Sequence, residues 1–429
     1  MSLEGAVATL GNPAEWPEIS LRKLVWQKKD TGHPELELLG VSVAVGVRPR
    51  WQGDNRPAAS LDLNAYKHVL PGEIVMNALG KPHGSIGRSA QEGITSPAYW
   101  VLECTEQADS RFLHYLLRSN HMVNEYQRIG KYLPPNQFDI SWDLFRNITV
   151  PLPPLEEQRR IADFLDDQVG RIDQATALRT AQSDLVGALI KNSHQRAIFN
   201  IQHGPYSLAP AGQKWQEDLP QDWQTPTLSR LVSFRAGDFI SADNIEAVGD
   251  FAVYGANGPR GFTNEFTNEG DTILVGRQGA LCGNVHQVSG RFWASEHALV
   301  ATPRVTLHLP WLAELLSGLN LGQYSVSAAQ PGISVDRIKA ITVPFPAFHE
   351  QIRIANELSE KALLAREIMM DLTQWINKIT EHKRALITAA TTGQMDVTSA
   401  KPLSDKYLMP SAVFGPDLDL LASRLESGE

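Results

Sequence analysis

The sequence predicts a mixed α/β (α+β) protein of two globular domains joined by two long antiparallel helices, which form a coiled-coil spacer with a pseudo-twofold internal repeat. Three observations predict this architecture: a repeat at an offset of 193 residues, an apolar helical seam after each copy, and a stretch of about 130 residues rich in Gly, Pro and short apolar runs before each copy. We expect globular domains at 1–150 and 203–343, spacer helices at 151–202 and 344–397, and a C-terminal tail at 398–429.

The repeat aligns residues 140–167 with residues 333–360 without a gap, with 14 identities in 28 positions. Each copy begins as a short strand-like run and breaks at Pro-x-Pro, because proline has no N–H for a strand ladder. A helix is expected to follow in each copy. Glu156, Glu157 and Glu350 near the two helix starts suit the positive end of the helix macrodipole.

Both predicted helices carry an apolar seam. In the second helix the spacing alternates between four and three residues, interrupted only at Lys361 and His382, which is typical of a coiled coil. A helix of roughly 40 residues is about 60 Å long at 1.5 Å per residue, which favours a spacer over an ordinary core helix. The expected seams are Ile161, Leu165, Val169, Ile172, Leu178, Leu185 and Leu189, and Ile354, Leu358, Ala365, Ile368, Leu372, Trp375, Ile379 and Leu386.

The two globular stretches are predicted to mix strands and helices. Helical patterns come late in each, at 111–127 and 311–319. Gly-rich turns separate four expected strands in the second, at 251–254, 272–275, 284–286 and 298–301. A linker at 203–213 divides the two halves.

Composition excludes several classes of protein. The chain is 42% apolar without a run of eighteen apolar residues, and no signal segment is visible at its start, so we expect no membrane span and a cytoplasmic protein. Cys104 and Cys282 are too few for a disulfide framework or a Cys-rich metal module, and each is expected to be a small buried apolar residue.

Catalytic motifs are not recognisable. The run 80–87 has the wrong order for a phosphate-binding P-loop, and 255–261 is a tightly turned or mobile loop rather than a dinucleotide-binding motif. The segment 133–136 reverses the order expected of an amino-methyltransferase loop. Glu381 and Lys383 match a nuclease pattern by letters but fall on the predicted spacer helix, where carboxylates and lysines are expected to form a solvated face. Glu296-His297 has no third zinc ligand nearby. We therefore expect no catalytic and no metal-binding residues.

The doubled Ile-Thr-Val-Pro-x-Pro element, the long helix after each copy and the segment 392–397 resemble the specificity subunit of type I restriction-modification enzymes over residues 16–397. The segments 254–261, 270–279, 282–286 and 292–298 resemble one class of target recognition domain, and 71–77, 84–87 and 95–99 resemble another. The resemblance implies that the two globular domains are target recognition domains, each reading one part of a bipartite double-stranded DNA site with an unread gap between the parts.

The resemblance also implies partners and cofactors. Two modification subunits would bind S-adenosylmethionine and methylate adenine, and two restriction subunits would use ATP, with Mg²⁺, to translocate and cut. This chain would carry no cofactor and no catalysis of its own. The alternative is a non-catalytic coiled-coil adaptor that binds only proteins. A third hypothesis is a self-sufficient nuclease or methyltransferase, but the sequence lacks the motifs of either enzyme.

The net charge of −9 argues at first sight against a nucleic-acid partner. Residues 40–88, however, hold six basic residues against three acidic ones, and the partner subunits are expected to supply many phosphate contacts. Base edges are read by Arg, Lys, Asn, Gln and Ser, and glycine lets a loop approach DNA closely. The candidate DNA-binding residues are Arg48, Arg50, Lys81, His83, Gly84, Ser85 and Arg88 in the first globular domain, and Asn257, Arg260, Arg277, Gln278, Gly279 and His286 in the second.

The tail at 398–429 departs from this pattern. Leu418, Leu420, Leu421 and Leu425 predict a short amphipathic docking helix, with a frayed tail as the alternative.

Overall fold

The fold was analysed in a computed structural model, which describes residues 15–42, 46–50, 62–80, 85–133, 137–199, 219–279, 281–325 and 332–400. The chain forms two compact units. Unit 1 holds the described residues of Met1–Ala181 together with those of Leu372–Ser411, and unit 2 holds those of Gln182–Asp371. The predicted linker 203–213 and all of the predicted tail 398–429 beyond residue 400, including the docking helix expected around 418–425, lie outside the described residues.

Unit 1 is built around an antiparallel four-stranded sheet of order β2-β10-β6-β8, with shorter ladders beside it: β1-β13, β3-β4, β5-β9 and β11-β12-β7. Its strands are β1 (Glu18–Ser20), β2 (Val25–Lys28), β3 (Leu39–Ser42), β4 (Gly46–Pro49), β5 (Lys67–Val69), β6 (Ile74–Asn77), β7 (Leu79–Gly80), β8 (Ser85–Arg88), β9 (Gly93–Thr95), β10 (Trp100–Cys104), β11 (Lys131–Leu133), β12 (Gln137–Asp139) and β13 (Thr149–Pro151).

Three short helices cover this sheet: α1 (Ser110–Arg118), α2 (Asn120–Ile129) and α3 (Trp142–Arg146). The single helix expected at 111–127 is divided at Ser119, whose hydroxyl accepts a hydrogen bond from the Met122 N–H and so caps α2. Asp109 caps α1 in the same way through the N–H groups of Arg111 and Phe112.

Unit 2 contains two four-stranded sheets, of order β14-β21-β18-β19 and β16-β15-β20-β17. All four expected strands are present within one or two residues of their predicted bounds. The strands are β14 (Val232–Ala236), β15 (Phe251–Gly255), β16 (Gly258–Thr263), β17 (Asn268–Glu269), β18 (Thr272–Gly276), β19 (Val285–Val288), β20 (Arg291–Ala294) and β21 (Ala298–Pro303), and the helices are α5 (Leu228–Leu231), α6 (Leu309–Gly318) and α7 (Val335–Lys339).

Two long helices follow the two repeat copies, α4 (Leu155–Phe199) and α8 (Phe348–Thr391). Within unit 1 their segments run in opposite directions. Asp173 of α4 pairs with Lys383 of α8. Arg179, which comes later in α4, lies over the ring of Trp375, which comes earlier in α8. Both segments contribute to one apolar core together with the short helices α1, α2 and α3. Within unit 2, the end of α4 and the start of α8 share a second core.

The seam of α4 differs from the prediction. Leu178 and Leu185 are exposed (47% and 53%), whereas Ala175, Arg179 and Val186 are buried. Ala175 and Arg179 continue the buried face of α4. Arginine can occupy such a position because its aliphatic carbons are buried while its guanidinium lies over an aromatic ring. In α8, Lys361 and His382 are themselves buried at seam positions, so neither interrupts the seam.

Two smaller predictions are also corrected. Lys383, expected on a solvated face, donates hydrogen bonds to both carboxylate oxygens of Asp173 at 2.6 and 2.8 Å. Cys104 and Cys282 are only partly buried, each packing against the edge of its unit's core. Among the described residues, no helix combines the length and apolarity needed to cross a membrane.

The four-stranded sheet of unit 1 is repeated in unit 2. A shift of 199 positions carries the pairs Val75–Val101 and Met76–Ile86 onto Leu274–Val300 and Val275–Val285. The same shift carries the fully buried face of α1 onto that of α6: Phe112, Leu113, Leu116 and Leu117 onto Trp311, Leu312, Leu315 and Leu316. The repeat detected in the sequence at an offset of 193 therefore extends through the globular part of each unit.

Candidate nucleic-acid interface

In unit 2, a hairpin lies across the edge strand β19. Strands β15 and β16 are joined by Ala256 and Asn257, and Gly255 pairs with Gly258 at the turn. The segment 255–261 is thus a tight turn, one of the two alternatives left open by the sequence. Gly258 has a φ of +95°, and a Cβ there would lie 3.3 Å from Cε1 of His286 on β19. Glycine is suited to this position by both its backbone conformation and this close approach.

This hairpin lines a cavity of about 560 Å³ together with the segment that follows β18. Four of the six residues predicted for this domain line it: Asn257, Arg260, Gln278 and Gly279. Arg260 is the only fully charged side chain among the described lining residues, and it is exposed. The cavity therefore combines a cation with amide groups, which are the side chains that read base edges by hydrogen bonding.

Neighbouring side chains fix the orientation of the polar groups. Asn284 Nδ2 donates to Asn257 Oδ1 at 2.9 Å, and His297 Nδ1 lies 3.2 Å from Gln278 Oε1. Neither partner is among the predicted DNA-binding residues, although Asn284 and His297 lie in the segments 282–286 and 292–298 that resemble a target recognition domain. These contacts leave the Asn257 side-chain NH₂ free to donate to a ligand in the cavity.

The remaining two predicted residues of this domain adjoin the cavity. Arg277 is half-buried, its N–H donates to the His297 carbonyl at 2.8 Å, and its carbonyl accepts from the Ile333 N–H at 2.9 Å. Burial lowers the pKa of His286, whose Nε2 is buried and has no hydrogen-bond partner among the described residues. His286 is therefore neutral at pH 7 and can act as a donor or an acceptor but not as a cation.

Unit 1 has a corresponding arrangement. The hairpin β3-β4 lies across the edge strand β8, and a Cβ at Gly87 would come within 2.5 Å of the Val47 backbone nitrogen. Under the 199-residue shift, Gly87 corresponds to His286. Arg48 and Arg50 lie in and just after β4, half-buried. These two arginines therefore lie at a hairpin placed like the one that carries Asn257 and Arg260.

The other predicted residues of unit 1 are only partly described. Ser85 pairs with Asn77 at the start of β8, and it corresponds to Asn284. Arg88 is exposed at the end of β8, and its Nε donates to Ser110 Oγ at 2.9 Å, next to the start of α1. Lys81, His83 and Gly84 lie outside the described residues.

A solved structure shows the same fold. One chain from a study of complex assembly and conformational transition in a type I restriction-modification system superposes with a TM-score of 0.67, covering 90% of this chain and 100% of that chain at 18% sequence identity. Two sheet-containing units and two long helices are therefore features of an established protein fold.

The family of type I restriction modification DNA specificity domains matches residues 64–180 and 220–378, and the chain belongs to this family. Curated relatives include the type I restriction enzyme EcoprrI specificity subunit of Escherichia coli, 38% identical over 146 residues, and the MjaVIII specificity subunit of Methanocaldococcus jannaschii, 27% identical over 155 residues. The matches cover 33% and 35% of this chain and span about a third of each relative, 36% and 33%.

Proposed function

We propose that this chain is the DNA sequence-specificity subunit of a type I restriction-modification complex. It reads a bipartite DNA target, one part with each unit, and it scaffolds the modification and restriction subunits without catalysis of its own. The observation that carries this proposal is the repeated placement of polar and basic residues on a hairpin that lies across the edge strand of the same sheet in both units.

The side chains of unit 2 suit base reading better than phosphate binding. Arginine binds guanine through two hydrogen bonds, and asparagine or glutamine binds adenine in the same way. Arg260, Asn257 and Gln278 supply these groups around one cavity, and neutral His286 adds no charge. A site made mainly of neutral groups with one cation supports sequence reading, since the sequence-independent affinity for phosphates comes chiefly from clustered Lys and Arg.

The net charge of −9 fits a chain that mainly reads base edges while its partner subunits contact the phosphates. We propose two modification subunits as partners that carry S-adenosylmethionine and contribute phosphate contacts. Two restriction subunits would carry ATP and Mg²⁺. On this proposal the chain itself holds no cofactor and works in the cytoplasm, where such complexes meet DNA.

The test is DNA protection by the purified chain together with its modification subunit. The proposal requires protection of an asymmetric site with an unprotected gap. The double variant Arg260→Ala/Gln278→Ala should weaken protection of one part and leave the other. The matched control is Arg337→Ala, which removes an exposed arginine from α7 of the same unit. Assembly with the modification subunit but no sequence-dependent protection would instead support a protein adaptor.

A further inference from the structure

Unit 1 brings together three side chains that commonly bind transition metals. Asp30 and His33 lie in the loop between β2 and β3, and His68 lies in β5. One potential ligand atom from each lies within 4.8 Å of the others. Zinc is bound by imidazole nitrogens and carboxylate oxygens at about 2.0–2.2 Å, which places ligand atoms about 3.3 Å apart in a tetrahedral site.

The Asp30 carboxylate already holds both imidazoles. His68 Nδ1 lies 2.8 Å from Oδ2, and His33 Nε2 lies 3.1 Å from Oδ1. The centroids of the two rings are 4.4 Å apart. One carboxylate oxygen and one nitrogen from each ring thus lie within 4.8 Å of one another, and an ion placed between them would replace the two hydrogen bonds to Asp30.

The backbone fixes this loop against β5 without using any of the three side chains. The His68 N–H donates to the Asp30 carbonyl at 2.9 Å, and the Gly32 N–H donates to the Asn64 carbonyl at 3.0 Å. Thr31 also forms a bridge with Lys67. The ligand set is consequently held in place before any ion arrives, which lowers the entropic cost of binding.

Glu92 occupies the place of an outer carboxylate. His68 Nε2 lies 2.8 Å from Glu92 Oε1, on the side of the ring opposite to Asp30. In metal sites, the histidine nitrogen that faces away from the ion usually donates to a carboxylate, and this contact sets the tautomer and orients the ring. In the structure both ring nitrogens of His68 face carboxylates, so Nδ1 donates its proton to Asp30. A metal ion would displace that proton, and Nε2–H held by Glu92 would then fix the tautomer whose Nδ1 lone pair faces the ion.

Charge and exposure are also suitable for a cation. Glu35 Oε1 lies 4.0 Å from His33 Nδ1, adding a third nearby carboxylate. The ammonium of Lys28 lies 4.0 Å from Asp30 Oδ2 but is paired more closely with Glu73, at 3.0 Å, which offsets part of its charge. The His68 side chain is mostly buried (11% exposed), whereas Asp30 and His33 are 41% and 34% exposed. Solvent can thus supply a fourth ligand.

We propose that Asp30, His33 and His68 form a structural binding site for a zinc-class divalent cation, with Glu92 as its orienting carboxylate. The ion would fasten the β2–β3 loop to β5. Sequence patterns could not show this site, since the two histidines are 35 positions apart and their approach depends on the pairing of the loop with β5. This proposal does not rest on the proposed function.

The test uses the untagged full chain with Zn²⁺ or Co²⁺ as the only added metal. Equilibrium dialysis should show one tightly bound Zn²⁺ per chain. That site should be lost in His33→Gln and His68→Gln, and affinity should fall about 10- to 100-fold in Glu92→Gln. Controls His121→Gln and His349→Gln, which alter exposed histidines on α2 and α8, should bind as the parent chain does.

Co²⁺ absorption can be measured on the parent chain. The proposal can therefore be tested even if a histidine variant does not fold. Four-coordinate Co²⁺ with imidazole and carboxylate ligands should give intense visible absorption, which Zn²⁺ should displace. A weak octahedral spectrum, or Zn²⁺ binding that is equal in the parent and His68→Gln chains while circular dichroism shows both folded, would overturn the proposal.

Discussion

Gln158 and Gln351, 193 positions apart, make the same two contacts in their respective units. Each side-chain amide donates to the carbonyl of the proline five residues earlier, Pro153 or Pro346, at 2.9 Å. Each amide oxygen accepts from the backbone N–H of the residue that caps the sheet-covering helix, Asp109 at 2.8 Å or His308 at 2.9 Å. Both side chains are 1% exposed. One glutamine thus joins the start of a long helix to the globular part of each unit.

Replacing Gln351 with leucine should destabilise unit 2, because the buried Pro346 carbonyl and the partly buried His308 N–H would lose their partner. Leaving a buried polar group unsatisfied costs about 1–3 kcal/mol, so we expect a loss of about 2 kcal/mol or more in the free energy of unfolding. Differential scanning calorimetry should show a lower transition midpoint. Gln374→Leu, at an exposed position on the same helix, is the control, and an equal effect there would refute the role assigned to Gln351.

Arg277→Ala should weaken specific DNA binding by about 1–3 kcal/mol, the usual contribution of a bidentate base contact. Binding to random DNA should change little, because a base contact adds nothing where the base is wrong. The measurement is a pair of titrations of the complex on target and random DNA at one salt concentration. An equal loss on both would make Arg277 a phosphate anchor.

Gly279→Ala should weaken DNA binding by more than its backbone strain explains. Gly279 and Gly270 have nearly equal φ values, +94° and +98°, and a Cβ at either would meet nothing within 4 Å. Alanine is strained equally at both, by about 1 kcal/mol. Only Gly279 lines the cavity, so binding assays should separate the two variants, while thermal midpoints should not. Equal DNA affinity would mean that DNA does not approach this loop.

Unit 1 should lose stability as the pH falls from about 6.5 towards 3, in part through His114. Burial, together with the charges of Arg118, Arg88 and Lys383, lowers the pKa of His114 from 6.5 to about 3, and its Nδ1 is buried without a partner among the described residues. Between these values the unfolded chain binds the extra proton and the folded chain does not, so the free energy of unfolding falls by up to about 1.4 kcal/mol per pH unit.

The matched variants for this pH dependence are His114→Leu and His121→Leu, the second at an exposed position on α2. Thermal midpoints measured from pH 7.5 to 4 should decline less steeply in His114→Leu than in the parent chain. His121→Leu should follow the parent. If His114→Leu declined as steeply as the parent, the burial cost assigned to this histidine would be wrong.

Much of the architecture could be predicted because its signals are local. The Pro-x-Pro breaks, the helix starts near Glu156 and Glu350, and the four strands of the second globular domain follow from short-range chemistry. The seam of α4 could not be predicted by counting apolar residues, since Arg179 is buried over Trp375, which lies in another helix. Whether a long side chain is buried depends on what its partner helix offers.

The candidate interface was predictable by residue type but not by arrangement. Asn257, Arg260, Gln278 and Gly279 could be proposed from their chemistry, but their convergence on one cavity depends on the hairpin crossing β19. The sequence could not show that Gly87 and His286 occupy equivalent positions in the two units, because glycine and histidine share no chemistry. What the two positions share is the hairpin that packs over them.

In the most direct test, the first globular domain is exchanged and the methylated DNA sites are identified by sequencing. Residues 16–147 would be replaced with the corresponding segment of another family member, and the chimera expressed with its modification subunit. If each unit reads one part of the target, the methylated sequence should change in one part only and keep the other. A change or loss of both parts together, in a chimera that still assembles with its partner, would contradict independent reading by two units.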